Sequence, residues 1–182
     1  MKTAHILFIC LLLTSFAAAQ NAPTVKQAES ACGPSQVTFH VDESAHLHPL
    51  APVVAGKAQV YIIEVFENPT YKIGRGPTVR LGMDGRWLGA DHHDSYLVLP
   101  VEAGEHHLCA NWQSKFKSLS RLISLENFTA QPGGTYYFRV RVTSRNAWKG
   151  APWYTLNLEP VNDDEARLLL AQRRQGTSSI EK

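Results

Sequence analysis

Between Thr78 and Ala110 the chain reads TVRLGMDGRWLGADHHDSYLVLPVEAGEHHLCA, a run that holds three strand signals, the start of a fourth, and two turn signals without a break. Val79 and Leu81 alternate with Thr78 and Arg80. Asp84-Gly85 then supplies residues that tolerate positive φ in a two-residue hairpin, and Arg86 to Ala90 returns. Tyr96 to Val101 reads as a further strand, and Glu102-Ala103-Gly104-Glu105 turns the chain into His106 to Trp112. Connections this short predict antiparallel neighbours throughout, a β-meander.

The flanks extend this pattern. Gln36 to Val41 alternates as a short first strand. Ala58 to Phe66 (AQVYIIEVF) leaves no polar face, as a central strand buried on both sides would. Glu64 is the anomaly within it: it either points to a sheet edge or pairs with an arginine, or it is a functional carboxylate, because an unpaired buried charge costs several kcal/mol. In Leu122 to Ala130 the apolar parity changes between Leu125 and Phe128, which predicts a β-bulge near Glu126-Asn127. Gln131-Pro132-Gly133-Gly134 predicts a type II turn. Tyr136 to Thr143 and Trp153 to Glu159 alternate cleanly as strands.

After Pro160, Asn162 and Glu165 have capping-box spacing. Asp163 and Asp164 load a first turn, Arg173 and Arg174 a last one, and Gly176 is a stop, so a helix is expected over 161–176 with a frayed tail over 177–182. The expected organisation is therefore a lead-in with one short strand over 20–56, a β domain over 57–160, and the helix. Short strands punctuated by turns and followed by one helix indicate an all-β chain: an antiparallel β-sandwich, immunoglobulin-like or transthyretin-like, with one C-terminal α-helix.

Residues 1–19 are set apart. Lys2, the apolar run Ile6 to Leu13 and the small residues Ala17-Ala18-Ala19 have the layout of a signal peptide, with cleavage expected before Gln20 and export to the periplasm or medium. The run is shorter than the ~20 residues a membrane span needs, and no later segment is uniformly apolar. Phe8 and Ile9, which precede Cys10, are too large for a lipidation signal. Cys32 and Cys109 are then the thiols of the mature chain, and an oxidising compartment favours a disulfide between them; two separately buried thiols are the other arrangement. The 18 basic and 16 acidic residues give a formal charge of +2 and are well mixed, which excludes a nucleic-acid footprint.

VRLGMDGRWLGA, SYLVLPVEAGEHHLCANWQS and AQPGGTYYFRVR resemble the bacterial exported family called domain of unknown function 2846, and more loosely PEGA-type surface β-domains. The similarity spans roughly residues 57–143. It implies an exported, non-catalytic β protein, with Asp84, Gly85, Gly104, His106, Gly133, Gly134 and Tyr137 as turn and core residues, and it assigns none of them chemistry.

Two groups of residues could carry function. Six histidines fall as His46-x-His48, His92-His93 and His106-His107, and imidazoles converging with Asp91, Asp94 or Glu105 could bind zinc or copper. Adjacent residues on a strand point to opposite faces, however, so solvated or locally hydrogen-bonded rings are the competing reading. Trp112, Trp148 and Trp153 lie near loops that carry Lys115, Arg145 and Lys149, where exposed rings could contact a glycan or a protein partner; core packing is the alternative. No nucleophile elbow, zinc-protease helix, phosphate loop or dinucleotide fingerprint is present. The expectation is a non-enzymatic binding or structural module of the cell envelope that needs no cofactor; a metal site on His92, His93, His106 and His107 is the alternative.

Overall fold

A computed structural model describes residues 30–43, 52, 54–67, 77–92, 95–145 and 153–181. The expected signal peptide with its cleavage site before Gln20, and His46, His48, His93, Asp94, Trp148 and Lys149, lie outside the described residues.

Two sheets face each other. The larger contains β1 (Phe39–Glu43), β2 (Ala58–Glu67), β5 (Ser95–Val101), β8 (Thr135–Arg145), β9 (Trp153–Pro160) and β10 (Arg174–Ile180), in the order β1-β10-β5-β2-β8-β9. The smaller contains β3 (Thr78–Met83), β4 (Arg86–His92), β6 (Gly104–Gln113) and β7 (Ile123–Ala130), in the order β4-β3-β6-β7. A one-turn helix α1 (Lys117–Ser120) and a longer helix α2 (Asp163–Ala171) complete the described elements. The expected all-β sandwich with a C-terminal helix is what the chain forms. Its larger sheet is mixed rather than purely antiparallel, since β2 runs parallel to β8 and β10 parallel to β5.

The all-apolar run of β2 has a simple origin, because the strand is central and both its faces are covered. Val60 and Ile62 enter the core between the sheets with Val79, Leu81, Leu108 and Val140. Tyr61 and Ile63 face outward and meet Tyr96, Tyr137, Ala166 and Leu170 beneath α2. The Tyr61 and Tyr137 rings stack with centroids 5.2 Å apart.

The expected meander is corrected in its middle. The Asp84-Gly85 hairpin forms as read, with φ of 52° and 79°. The next two connections instead change sheets: β4 and β6 belong to the smaller sheet and β5 to the larger. A two-residue link can turn a corner between layers as readily as it closes a hairpin, and Gly104, at φ 141°, supplies a conformation that side chains disfavour. The Gln131–Gly134 turn closes as expected, with Gly133 at φ 75° and Gly134 N–H donating to Gln131 O at 2.9 Å, and it too joins the sheets.

No bulge interrupts β7, whose register with β6 is continuous from Gly104↔Ala130 to Asn111↔Ile123. The apolar parity changes because both faces of β7 are used: Phe128 packs on the sandwich core, while Leu125 packs on Cys32 and Cys109 outside it. The register shift lies elsewhere, between Leu81 and Gly82 where β3 meets β4.

The C-terminal expectation is half met. Asn162 Oδ1 caps α2 by accepting from Glu165 N–H at 2.9 Å, with Asp163 and Asp164 in the first turn. The helix nevertheless ends at Ala171 rather than near 176. Arg173 folds back beyond it, donating from Nη1 to Leu169 O and from Nε to Glu64 O, both at 2.9 Å. The tail expected to fray is β10, paired antiparallel with β1 from Phe39↔Ile180 to Glu43↔Gly176. Two serines then tie the sheets together along their open sides. Ala90 N–H donates to Ser178 Oγ at 3.0 Å, and Leu158 N–H to Ser124 Oγ at 2.8 Å.

Candidate functional site

The outer face of the smaller sheet is not left to solvent, because residues 30–39 cross it from one end to the other. Gly85 N–H donates to Ala31 O at 3.2 Å at one end. Cys32 and Cys109 then form the expected disulfide, with Cα atoms 5.2 Å apart across 77 residues of sequence. Trp87 Nε1–H donates to Pro34 O at 2.7 Å, and Arg80 Nη1 donates to Ser35 O at 2.9 Å and Val37 O at 2.7 Å. At the far end the Gln113 amide brackets Phe39, accepting from its N–H and donating to its C=O at 2.8 Å each. The first strand consequently begins at Phe39 rather than at Gln36.

A cavity of about 500 Å³ opens beside this strap, lined by Cys32, Pro34, Gln36, Arg80, Trp87, Asn111, Ser120 and Ile123 among others. Alternation puts Arg80 and Asn111 on its floor, because they pair across β3 and β6 and therefore point to the same face. Arg80 is only 7% exposed, and its guanidinium lies 4.6 Å from the centre of the Trp87 ring. Its Nε donates to Asn111 Oδ1 at 3.0 Å, and its Nη2 donates to the same oxygen. Asn111 in turn donates from Nδ2 to Ser120 O at 2.9 Å and Leu122 O at 3.0 Å, so the α1 turn is fixed to the same network. Every group that holds Arg80 is a neutral oxygen, and among the described residues no carboxylate pairs with it. Burial pushes its pKa down, with no neighbouring negative charge to oppose the shift.

Of the four histidines considered as metal ligands, His93 lies outside the described residues, and the other three stand apart. His92, on β4 opposite Thr78, has Nδ1 3.1 Å from Pro77 O and 3.4 Å from Thr78 Oγ1. His106 is fixed beyond the other end of β3: its Nδ1 is 2.7 Å from Asp84 Oδ2 and its Nε2 2.8 Å from Glu102 O. From Thr78 to Asp84 at about 3.3 Å per residue, these positions stand about 20 Å apart. His107 is exposed, 3.9 Å from Glu105 Oε1. No group of three or more potential metal ligands occurs among the described residues.

The tryptophans divide. Trp112, expected at a contact surface, is 8% exposed in the sandwich core and packs edge-on to Tyr154 with ring centroids 5.1 Å apart. Its side chain alternates inward with Leu108 and Ala110, so proximity to a loop in sequence did not bring exposure. Trp153 is 75% exposed at the start of edge strand β9.

Polar residues do gather inside the sandwich. Glu64 is 0% exposed and shares the inward parity of Val60 and Ile62, far from any sheet edge. Asp91 and Ser95 are buried as well, and Ser95 Oγ contacts Asp91 Oδ1 and the His92 carbonyl, the latter at 2.7 Å. The Nδ1 of the neighbouring His92 faces the Pro77 carbonyl and the Thr78 hydroxyl.

Sequence reasoning missed Arg80, Trp87 and Asn111. The available signal was an arginine and an asparagine at outward-reading positions of neighbouring strands, one of which carries Cys109, but only the path of residues 30–39 makes that face an interior. Compared with known proteins, the chain matches no family model, no curated protein and no solved structure.

Proposed function

We propose that this chain is a non-catalytic binding module exported to the bacterial cell envelope, and that the cavity floored by Arg80 is where it takes its ligand. One observation carries the reading: a concave site of about 500 Å³ whose floor is a buried cation held only by neutral oxygens. Sites for small molecules are commonly of this size, with a few fixed polar groups among apolar ones. The disulfide supports an oxidising destination. No described helix is long and apolar enough to cross a membrane. The leader ending before Gln20 and the resemblance to domain of unknown function 2846 belong to the same proposal.

The test places a photoreactive amino acid at Ile123, on the cavity rim, and separately at Leu168, exposed on α2. Each protein is irradiated in its exporting host and weighed intact. An adduct of discrete mass at position 123 and none at 168 is expected. No adduct at 123, or the same adducts at both positions, refutes the reading.

A further inference from the structure

The cavity is charged on one side and apolar on another. Arg80 has five N–H groups, of which four are engaged, leaving one on Nη2. The Trp87 ring beneath it and the Asn111 amide beside it fix the guanidinium plane before any ligand arrives. None of the described lining residues is acidic. The segment that contributes Ser120 to the lining also carries Lys115, Lys117 and Arg121, and none of these forms an ion pair among the described residues. Beyond Asn111, with which it pairs across β6 and β7, Ile123 is 42% exposed although it belongs to a strand, and the disulfide and Pro34 add further apolar surface. A cavity of about 500 Å³ exceeds the needs of an inorganic ion.

We propose that the cavity binds a small organic carboxylate with an apolar body, the carboxylate seated against Arg80 and the body against Ile123. The inference rests on the reading of this cavity as a ligand site. A carboxylate supplies the negative charge that the buried guanidinium lacks, and its planar shape suits one remaining N–H supplemented by the Gln36 side chain at the rim. Inorganic phosphate, which presents more acceptor oxygens and no apolar surface, fits the donors and the Ile123 wall less well.

The experiment is calorimetric titration of the exported, disulfide-bonded protein with phenylacetate, its neutral isostere phenylacetamide and inorganic phosphate. Phenylacetate is expected to bind saturably at one site, at least about tenfold more tightly than the amide, and phosphate is expected not to displace it. Because Arg80 also anchors residues 35–37, the decisive variant is at the rim. Both Ile123→Gln and Ile123→Glu remove the apolar contact, and Ile123→Glu should weaken phenylacetate binding about fivefold more than Ile123→Gln through its added negative charge. Equal binding of acid and amide overturns the carboxylate assignment and leaves the cavity as a ligand site of another class. Displacement by phosphate, indifference to Ile123→Glu, or no saturable binding also overturns it. The photoadduct at position 123 separately decides whether the cavity is a ligand site at all.

Discussion

The Asp84 carboxylate receives His106 Nδ1 at 2.7 Å on one oxygen and the backbone N–H of His107 at 2.9 Å on the other, so one turn residue fastens the β3–β4 hairpin to β6. The second ring nitrogen of His106 faces Glu102 O at 2.8 Å. A carboxylate and a carbonyl only accept, so both ring nitrogens donate together only when the imidazole is protonated.

That geometry sets a pH dependence. Burial lowers the His106 pKa, but the Asp84 and Glu102 hydrogen bonds and the Asp84 charge outweigh it, and the net value lies above the ordinary 6.5. Burial raises the Asp84 pKa, but the His107 N–H and the two histidines outweigh it, and the net value lies below 3.8. A raised histidine stabilises fully below its unfolded pKa and loses that contribution as pH rises through the folded one; a lowered aspartate loses its contribution as pH falls through its folded value. The pair is thus fully effective between pH 3.8 and 6.5. Denaturant unfolding should show a loss of stability from pH 6.5 upward that Asp84→Asn removes, since asparagine tolerates the turn at φ 52° but carries no charge. An unchanged slope in that variant would contradict the assignment.

Reduction should cost the protein heavily. Closing a 77-residue separation contributes about 4.5 kcal/mol on the chain-entropy model. Cys32→Ser combined with Cys109→Ser should lower unfolding free energy by about that amount, and Gly85 N–H, bonded to Ala31 O, should exchange faster. A loss below about 1 kcal/mol would mean that residues 30–39 stay in place without the bridge.

Gly176 leaves room for a side chain from another strand. A Cβ there would lie 2.9 Å from Asp91 Oδ1 and 3.3 Å from Ser95 Oγ. Gly176→Ala should therefore push β10 off its neighbours and destabilise by about 1–3 kcal/mol, whereas Thr177→Ala on the exposed face should cost little. Equal effects of the two substitutions would show that β10 tolerates the displacement.

The α2 cap offers a local test. Asn162→Ala removes the oxygen that accepts from Glu165 N–H and should cost about 1 kcal/mol, recovered largely by Asn162→Ser. Thermal unfolding of the two variants checks this, and identical losses would show that the side-chain bond contributes nothing.

Strand periodicity and turn chemistry were legible wherever one physical cause acted. β2, β8 and the Asp84-Gly85 turn follow from apolar runs, alternation and positive φ. β10 was not legible, because Arg174 to Ser179 contains no large apolar residue; its pairing depends on the edges of β5 and β1 and on the space at Gly176. The β7 parity change was read as a bulge because a second packed layer outside the sheet has no local signature. The same omission hid the candidate site. Arg80 alternates as an outward residue, and only the strap of residues 30–39, fastened at Cys109 and Gln113, converts that outward face into a lined cavity. Trp112 misled for the converse reason, since its parity directs it into the core.

The most direct test of Arg80 as the floor of a ligand site is two-dimensional NMR of the exported protein titrated with phenylacetate, following the Arg80 Nε–H and the Trp87 indole N–H. Both resonances should move along one saturation curve while the indole signals of core Trp112 and edge Trp153 stay in place. Arg80 and Trp87 signals that do not move, or indole signals that all move alike, would contradict the seating of a carboxylate at this cavity.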